Sequence, residues 1–367
     1  MSRCIVFLPY KLEERGVRAR MLRPRRMIQA FRDIGYDVFV ISGLSVERKK
    51  MIHEVKLMIA KGMKFDFMYA ESSTMPTLLT DPKHYPTHPF MDFDFFRYIK
   101  KNGVKIGLFY CDVYWKFDIY GKELSFIKKK VALMCYRYDI WRYKQLLTAF
   151  YVPDMKVCRY LNDDRLSSIA TELPPGTELR PIESVACSEV KGHLNIFYVG
   201  GISNYYQMNE LVKAVFAFEE VSLTICCRED EWNKEQRNYI PYLCERITIV
   251  HKSSDELEDY YREADICSLL FKLDPYVEIS KPFKAYEYLT HEIPVLSTKG
   301  TAIGKFVEEE DIGWNIDFDA SSIEKTLRMI LDNPNILYKK KENCRVTKLK
   351  NLWSERAQKV ANDLSIK

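Results

Sequence analysis

The sequence lacks a long hydrophobic run, a C-x-x-C pair and histidines at metal-ligand spacing. Its first apolar run, in MSRCIVFLPYKLEE, is followed at once by charged residues, so we expect neither a signal peptide nor a membrane-spanning helix. None of the ten cysteines forms a C-x-x-C pair, which favours buried thiols in a reducing cytosol. The six histidines show no metal-ligand spacing, and the dinucleotide fingerprint G-x-G-x-x-G is absent. We therefore expect a cytoplasmic protein without a metal site and without bound NAD or FAD.

What the sequence does contain is typical of a folded α/β protein. Of its 367 residues, 47% are hydrophobic and 29% are charged, and at about 150 residues per domain this length indicates two domains. Short apolar runs such as CIVFLP (4–9) and DVFVIS (37–42) alternate with segments of helical pattern. Because strands that are apolar throughout are buried on both faces, this alternation predicts parallel sheets covered by helices.

The alternation breaks in LPPGTELRPIESVACSEVKG (173–192), which holds three prolines and two glycines, and restarts with LNIFYVGG (194–201). Such a composition is typical of a linker. We therefore predict two Rossmann-like, doubly wound domains over 1–185 and 186–345, followed by a helical segment over 346–367 that packs back toward the N-terminal domain. In such sheets ligands lie at the carboxyl ends of the strands, and the cleft between two domains is the expected site.

Two glycines, Gly200 and Gly201, follow the first strand of the second domain. Glycine lets backbone amides approach a ligand closely, and the N-terminus of the next helix favours an anion. Arg228 follows the next strand, at the carboxyl edge where a nucleotide would lie. Each feature alone is explained as well by an ordinary strand-to-helix turn or a solvated loop charge.

The segment SKPFKAYEYLTHEIPVLS (280–297) combines a basic start, a helical middle and an apolar end. We predict Ser280 as the N-cap and Pro282 in the first turn, which places Lys284 and Glu287 on one face near the positive helix end. A lysine and free amides there suit a diphosphate, and a carboxylate one turn deeper suits two ribose hydroxyls. The alternative is an exposed ion pair worth about a few tenths of a kcal/mol. The helix lies between two buried strands, which favours the binding site.

Together these motifs resemble those of the GT-B glycosyltransferases, in particular the large group 1 family (family 4) of bacterial polysaccharide biosynthesis. The resemblance covers roughly residues 190–320 and rests on YVGGIS (198–203), A-D-I (264–266), P-x-K-x-x-E-Y (282–288), EIPVLST (292–298) and GTAIGKFVEEEDIGW (300–314). It implies two Rossmann-like domains that face each other across a cleft. The second domain would bind a UDP- or GDP-linked sugar, and the first would bind the acceptor.

The resemblance also implies residue roles. Glu287 corresponds to the glutamate that binds the nucleotide ribose, and the residues before it meet the donor phosphates and sugar. The implied reaction is metal-independent transfer of a hexosyl group to a glycan or lipid-linked glycan, with retention of configuration. The implied donor-binding residues are Gly200, Gly201, Arg228, Lys281, Lys284 and Glu287.

The chain departs from the family pattern at two places. Members often carry an arginine and a lysine after the first glycines, where this chain has Ser-Asn-Tyr-Tyr at 203–206. They also often carry a glutamate eight residues before the ribose-binding one, where this chain has Ile279, with Glu278 one position away. The missing positive charge would then come from Arg228, Lys281 and Lys284. Two alternatives to a transferase follow, namely a nucleotide-sugar-binding partner subunit without activity and a GT-B nucleotide-sugar epimerase.

In the first domain, EERGVRARMLRPRR (13–26) places six arginines between the first strand and its helix. Gly16 and Arg18 are our candidates for acceptor or phosphate binding, with a solvated basic loop as the alternative. Asp112 and Glu71 come at the ends of later strands and are the candidate acceptor-site acid or base, unless they cap or hold a loop.

One motif in the first domain matches a metal-binding pattern but is better explained by a helix start. Asp92-Phe93-Asp94 matches the metal-binding D-x-D of the other glycosyltransferase fold, but it directly precedes the helical pattern FFRYIKK (95–101). We therefore expect Asp92 or Asp94 to cap a helix and to complement its dipole.

The segment FIKKKVALMCYRYDIWRYKQLL (126–147) interleaves Lys, Arg, Tyr and Trp with aliphatic residues over the length of one helix. Basic and aromatic helices of this kind lie at anionic membrane surfaces. We predict peripheral membrane contact here, at the inner face of the plasma membrane, with an ordinary domain helix carrying snorkelling lysines as the alternative. We expect no nucleic-acid partner.

Overall fold

The computed structural model of the chain describes residues 2–12, 19–118, 120–180, 192–203, 206–253 and 256–365. These residues form two compact units: unit 1 is Met1–Gly176 with Trp353–Lys367, and unit 2 is Thr177–Leu352. The chain therefore leaves unit 1, builds unit 2 and returns to unit 1. The predicted domain boundary between residues 185 and 186 lies outside the described residues.

Unit 1 is built, within its described residues, on a parallel sheet with the strand order β2-β1-β3-β4-β5-β6. The strands are β1 (Arg3–Phe7), β2 (Asp37–Ile41), β3 (Phe67–Glu71), β4 (Lys105–Phe109), β5 (Ala149–Val152) and β6 (Ala170–Glu172). The helices that connect them are α1 (Ala19–Asp33), α2 (Ser45–Ala60), α3 (Met91–Lys101), α4 (Phe126–Leu146), α5 (Lys156–Leu161) and α6 (Asp164–Ser168). Cys4, Ile5 and Val6 in β1 are completely buried, as expected for a strand covered on both faces.

Unit 2 repeats this plan with the parallel strand order β12-β11-β10-β7-β8-β9. Its strands are β7 (Leu194–Val199), β8 (Val221–Cys226), β9 (Ile247–Val250), β10 (Ile266–Leu269), β11 (Val295–Thr298) and β12 (Gly313–Ile316). Its helices are α7 (Asn209–Phe216), α8 (Glu229–Glu235), α9 (Glu258–Glu263), α10 (Pro275–Glu278), α11 (Phe283–Thr290), α12 (Ala302–Glu309), α13 (Ala320–Asp332) and α14 (Pro334–Lys350). Both units are therefore doubly wound α/β structures, which confirms the predicted class.

The strand order of unit 2 reverses between β7 and β10, which are neighbours in the sheet. From β7 the chain continues outward through β8 and β9, whereas from β10 it continues through β11 and β12 to the opposite edge. Ligands of doubly wound sheets bind beyond the carboxyl ends of the strands at such a switch point. The segments that follow β7 and β10 therefore mark the expected ligand position in unit 2.

The last helix, α15 (Trp353–Leu364), belongs to unit 1. It packs so closely on β4 that a Cβ atom at Gly107 would lie 2.7 Å from Leu364 Cδ1. At the edge of the same contact, Tyr151 Oη donates to Asp363 Oδ2 at 3.2 Å. The sequence placed the start of this returning segment at residue 346, whereas in the structure residues 346–350 are the end of α14 in unit 2.

Candidate functional site

The turn after β7 brings the main chain close to a lysine side chain. Gly200 adopts a φ of 150°, and its N–H donates to the carbonyl of Cys226 at 2.9 Å. A Cβ atom at Gly200 would overlap Lys284 Nζ and would lie 3.0 Å from Tyr198 Oη. The backbone conformation and the approach of the lysine therefore both require glycine here.

Two side chains hold this glycine turn in place. Tyr198 Oη donates to the carbonyl of Gly201 at 2.6 Å, and the N–H of Ile202 donates to Glu231 Oε2 at 3.1 Å. Glu231 also forms an ion pair with Arg228, whose side chain is 62% exposed. Arg228, a predicted donor-binding residue, therefore lies beside the turn with its charge partnered by Glu231.

Lys284 is the second residue of α11, and its ammonium group lies against the glycine turn. Nζ donates to Tyr198 Oη at 2.9 Å. It also lies 4.4 Å from the ring centroid of Tyr198, 5.0 Å from that of Tyr206 and 4.9 Å from that of Phe271. We call these three rings the aromatic cage. At such distances the face of each ring attracts a cation.

Burial changes the ionisation of Lys284. The loss of water around the ammonium group lowers the pKa of Lys284 to about 7, although the carboxylates of Glu287 and Glu231 act in the opposite direction. Within the described ranges, Tyr198 Oη is the hydrogen-bond acceptor of Nζ. Because an ammonium group carries further N–H donors, these remain available to a ligand.

Glu287 lies one turn further along α11 and is half-buried. Burial raises the pKa of Glu287, while the neighbouring Tyr261 hydroxyl and the more distant Arg180 act to lower it. The ring of Tyr261 is stacked on that of His291, with centroids 4.0 Å apart and an interplanar angle of 14°. The predicted ribose-binding carboxylate is therefore on the same helix as Lys284, next to the Tyr261 hydroxyl.

The start of α11 differs from the sequence prediction. The helix begins at Phe283 with Pro282 as its N-cap residue, and Pro282 makes no side-chain cap. The prediction of Ser280 as the N-cap is therefore wrong. A residue before proline is disfavoured in the helical conformation, so the helix cannot extend back through Lys281, which precedes it and is half-buried. The start of a helix presents main-chain N–H groups, and Pro282 has no side-chain acceptor to offer them, which suits an anion.

The carboxyl ends of β7 and β10 therefore carry one site. It consists of the glycine turn, the caged ammonium of Lys284 and the uncapped start of α11, with Arg228 and Glu231 beside the turn. A cation together with main-chain N–H groups is the usual protein environment of a phosphate group. The arrangement can hold a phosphate or diphosphate.

In unit 1, the candidate acid Glu71 ends β3 and is only 3% exposed. Its Oε1 lies 3.4 Å from Arg23 Nε and accepts a hydrogen bond of 2.8 Å from Tyr69 Oη. Burial raises the pKa of Glu71, against the effect of the Arg23 charge and the Tyr69 hydroxyl. The structure therefore places this carboxylate in an internal ion pair.

Arg23, in the arginine-rich stretch 13–26, lies on α1 and is buried. Its guanidinium lies 3.5 Å from the ring centroid of Phe109, and Nη2 donates to the carbonyl of Leu173 at 3.0 Å. This arginine is thus part of the packing of unit 1. The other two predicted residues of the stretch, Gly16 and Arg18, lie outside the described residues.

Asp112 follows β4 and is half-buried. Its Oδ1 accepts a hydrogen bond from the N–H of Tyr114 at 2.8 Å, so the side chain holds its own loop. Because Glu71 is paired with Phe109 in the sheet register, the two candidate carboxylates follow neighbouring strands. Asp112 is the more accessible of the two.

The Asp92-Phe93-Asp94 segment does not cap α3. The N-cap residue is Phe90, and both carboxylates lie inside the first turn. Asp92 is buried and forms a two-point ion pair with Arg48, at 2.6 Å to Nη2 and 3.1 Å to Nε, while Asp94 pairs with Arg97 at 2.9 Å. The capping prediction is therefore wrong, because a buried arginine on α2 takes the carboxylate that the sequence assigned to the helix end. In the part of the chain that is described, no group of three or more His, Cys, Asp or Glu is placed to hold a metal ion.

The outward face of α4 is apolar along much of the helix. Its exposed apolar stripe, which we define as Ile127, Val131, Met134 and Trp141, has exposures of 74%, 46%, 60% and 51%. These spacings place the four side chains on one helix face, with the exposed Lys128 and Lys130 next to them. No helix within the described ranges is long and apolar enough to cross a membrane.

Sequence reasoning missed the aromatic cage. Tyr198 is part of YVGGIS, but only its glycines were assigned a role, and Tyr206 lies in the segment that departs from the family pattern. Phe271 ends an ordinary buried run. A cation held by rings from three separate segments leaves no local spacing in the sequence.

Solved structures similar to this one cover almost the whole chain. HepE from Anabaena in complex with UDP aligns with a TM-score of 0.64 at 11% identity over 99% of both chains. A sucrose-phosphate synthase from Thermosynechococcus elongatus aligns with a TM-score of 0.64 at 14% identity over 98% of both chains. A proposed UDP-N-acetylglucosamine 2-epimerase from Listeria monocytogenes aligns with a TM-score of 0.51 at 11% identity over 98% of this chain and 95% of that one. No family model and no curated protein sequence matches the chain.

These similarities define the class of the protein by its fold. The chain has the GT-B fold, with two Rossmann-like doubly wound domains, as the resemblance to GT-B glycosyltransferases implied. At 10–14% identity, similarity of structure establishes the fold alone. The function has to be argued from the site.

Proposed function

We propose that the protein is a glycosyltransferase that moves a hexosyl group from a nucleotide-sugar donor to a hydroxyl group of a glycan or lipid-linked glycan. The observation that carries this proposal is Lys284, a half-buried cation with N–H donors to spare, beside the Gly200–Gly201 turn at the switch point of a doubly wound sheet. HepE, which has the same fold, has been solved with UDP and with UDP-glucose. A nucleoside diphosphate is the ligand that fits such a position.

In this proposal, different residues of unit 2 bind different parts of the donor. Lys284, the Gly201 N–H and the start of α11 bind the diphosphate, with Arg228 and Lys281 contributing charge. Glu287 accepts hydrogen bonds from the ribose hydroxyls. UDP and GDP sugars share this diphosphate and ribose, so the same residues serve either base.

The chemistry follows from where charge develops. When the bond between the sugar C1 and the diphosphate oxygen breaks, its electron pair stays on the diphosphate, and Lys284 and the main-chain N–H groups stabilise the added charge. The acceptor oxygen then bonds to C1 and releases its proton to a base. Asp112 is the first candidate for that base and Glu71 the second, because Glu71 is already paired with Arg23. In this scheme the protein supplies the positive charge, so transfer needs no metal.

The biological setting is also part of the proposal. The resemblance to group 1 enzymes supports retention of configuration and a role in cell-surface polysaccharide biosynthesis. The exposed apolar stripe of α4 with Lys128 and Lys130 supports peripheral contact with an anionic membrane, which would bring a lipid-linked acceptor to the enzyme. That contact corresponds to the inner face of the plasma membrane.

A binding and turnover assay tests the function. UDP, GDP and a panel of their sugars are added to the protein and to Glu287→Gln in a thermal-shift experiment, since a ligand of the folded state raises Tm. Transfer is then followed by mass spectrometry with glycan and lipid-linked acceptors, with and without EDTA. We expect a nucleotide-dependent rise in Tm that Glu287→Gln reduces, and transfer that EDTA leaves unchanged. Absence of any nucleotide effect would overturn the proposal.

Two outcomes of the same assay favour the alternatives. Nucleotide-sugar binding without transfer to any acceptor favours a partner subunit without activity. Conversion of the donor sugar to its epimer without an acceptor, seen by NMR, favours an epimerase. The Listeria structure, which is that of a proposed epimerase, has a similar fold.

A further inference from the structure

We propose that the aromatic cage positions the Lys284 ammonium for the donor diphosphate, so that Tyr198, Tyr206 and Phe271 are positioning residues of the donor site. This inference rests on the proposed function and deepens it, since it concerns how the site keeps the Lys284 ammonium ready for its ligand. The cage comes from three segments, namely the end of β7, the segment before α7 and the segment after β10.

The three rings of the aromatic cage contact one another around Lys284 Nζ. Phe271 contacts Tyr206 edge to face, with centroids 5.0 Å apart and an interplanar angle of 72°, and contacts Tyr198 in the same way at 5.9 Å and 76°. Such edge-to-face pairs are the preferred geometry of aromatic rings. Each ring thus fixes the next, and all three centroids lie within 5.0 Å of Nζ.

The hydroxyl of Tyr198 links the cage to the glycine turn. It donates its single hydrogen to the carbonyl of Gly201 at 2.6 Å, so toward Lys284 it can only accept, and it does so at 2.9 Å. The position of the ammonium group is therefore coupled to the main chain of the turn. A diphosphate held by that turn would meet Nζ at a fixed place.

Rings suit this task better than a carboxylate would. A buried ammonium needs stabilisation, but a carboxylate in contact would neutralise it and would compete with phosphate for its N–H groups. The face of a ring attracts the cation and leaves its formal charge and most of its donors in place. The nearby acids, Glu287 on the same helix and Glu231 on α8, act on Lys284 through space, and Glu231 is itself paired with Arg228.

The test compares a matched pair of substitutions at Tyr206, the half-buried member of the cage. Tyr206→Phe keeps the ring, whereas Tyr206→Leu keeps an apolar side chain without one. UDP binding, with GDP in parallel, is measured by isothermal titration calorimetry in the full-length protein and again in the Lys284→Met background. We expect Tyr206→Leu to bind UDP about 2- to 30-fold more weakly than Tyr206→Phe.

The Lys284→Met background separates positioning from packing. If the cage acts through the cation, Tyr206→Leu has no further effect on UDP affinity once Lys284 is methionine. Equal weakening in both backgrounds would show a packing role and overturn the inference. Equal affinity of Tyr206→Phe and Tyr206→Leu in the parent background would overturn it as well.

A second variant keeps the test open if Tyr206→Leu does not fold. Tyr198→Phe keeps the ring and removes the hydroxyl that joins Nζ to Gly201, and we expect it to weaken UDP binding by about tenfold. An unchanged affinity in Tyr198→Phe would contradict the coupling of cage and turn. If the parent protein binds neither UDP nor GDP, the proposed function itself fails, which is distinguishable from a failure of the cage alone.

Discussion

Unit 1 and unit 2 each place a cation at the carboxyl edge of a parallel sheet, but the two cations differ in whether a carboxylate is in contact with them. In unit 1, Arg23 lies 3.4 Å from the carboxylate of Glu71 and stacks over Phe109. In unit 2, Lys284 lies among three rings, and its hydrogen-bond acceptor is the neutral hydroxyl of Tyr198. Both cations contact aromatic rings, so the difference lies in the counter-charge.

This difference indicates what each cation does. A buried cation with a carboxylate in contact is neutralised within the protein, and removal of either partner leaves the other uncompensated. A desolvated cation without a carboxylate in contact is energetically costly unless a ligand supplies the negative charge, and its pKa falls. Arg23 therefore contributes to the stability of unit 1, whereas Lys284 is suited to binding an anion. The predictions below test this contrast.

The largest effect is expected for Arg23→Met. Loss of the guanidinium leaves the buried Glu71 carboxylate without its partner, so we expect the free energy of unfolding to fall by about 3–5 kcal/mol. Urea unfolding followed by circular dichroism measures this change. In the double variant Arg23→Met/Glu71→Gln we expect part of the stability to return, and a double variant as unstable as the single one would contradict the ion-pair explanation.

The opposite pattern is expected for Lys284→Met. UDP affinity should fall by about 10- to 100-fold, because a charge-assisted hydrogen bond to phosphate is lost. The free energy of unfolding should stay level or rise, because a desolvated charge is removed. The matched control is Lys305→Met, an exposed lysine paired with Glu309 at 3.5 Å, which should leave UDP affinity unchanged. A lower free energy of unfolding in Lys284→Met without a loss of UDP affinity would contradict the binding role of Lys284 and indicate a structural one.

The pH dependence gives a smaller but specific effect. The pKa of Lys284 is about 7 in the folded protein and takes its ordinary value of 10.5 when unfolded, so between these values the unfolded state binds more protons. We therefore compare the free energy of unfolding of the parent protein with that of Lys284→Met. The parent value minus the variant value should be lowest below about pH 7 and should rise above it, by at most about 1.4 kcal/mol per pH unit. UDP affinity should fall over the same range as the ammonium loses its proton. A stability difference between the two proteins that does not change from pH 6 to 9 would contradict the lowered pKa.

The smallest effect concerns α4. Lys128→Glu/Lys130→Glu should reduce sedimentation with vesicles of phosphatidylglycerol and phosphatidylcholine, at about 1 kcal/mol for each lysine near the surface. The control Lys234→Glu/Lys305→Glu changes two exposed lysines of unit 2 and should sediment like the parent protein. Equal sedimentation of both double variants would argue against α4 as the membrane contact.

The repeating elements of the fold could be predicted because they carry a strong hydrophobic pattern. β2 (Asp37–Ile41) and β7 (Leu194–Val199) are examples, because they lie within the apolar runs 37–42 and 194–201 from which strands were predicted. α14 could not be predicted, because its buried residues include Thr347 and Lys348, which no apolar periodicity detects. β6 was missed for a related reason, since this edge strand has three residues and all are half-buried.

The candidate site could be predicted only in part. Gly200 and Lys284 were recognised as candidates from local sequence, and the structure brings them into contact. Their contact depends on Tyr198, Tyr206 and Phe271, whose pairing across segments is set by tertiary packing. The start of α11 was predicted too early because the restriction that Pro282 imposes on the preceding residue was given too little weight.

The return of the chain to unit 1 through α15 has a consequence for biosynthesis. Val360 and Leu364 are completely buried, and Leu364 packs on the central strand β4. While the chain is being made, unit 2 is complete once Leu352 has left the ribosome, whereas unit 1 still lacks the helix that covers this part of its core. The second half of the protein can therefore fold first, with the N-terminal half waiting for its last helix. A nascent chain halted before Trp353 should accordingly show a protease-resistant unit 2 attached to a protease-sensitive unit 1.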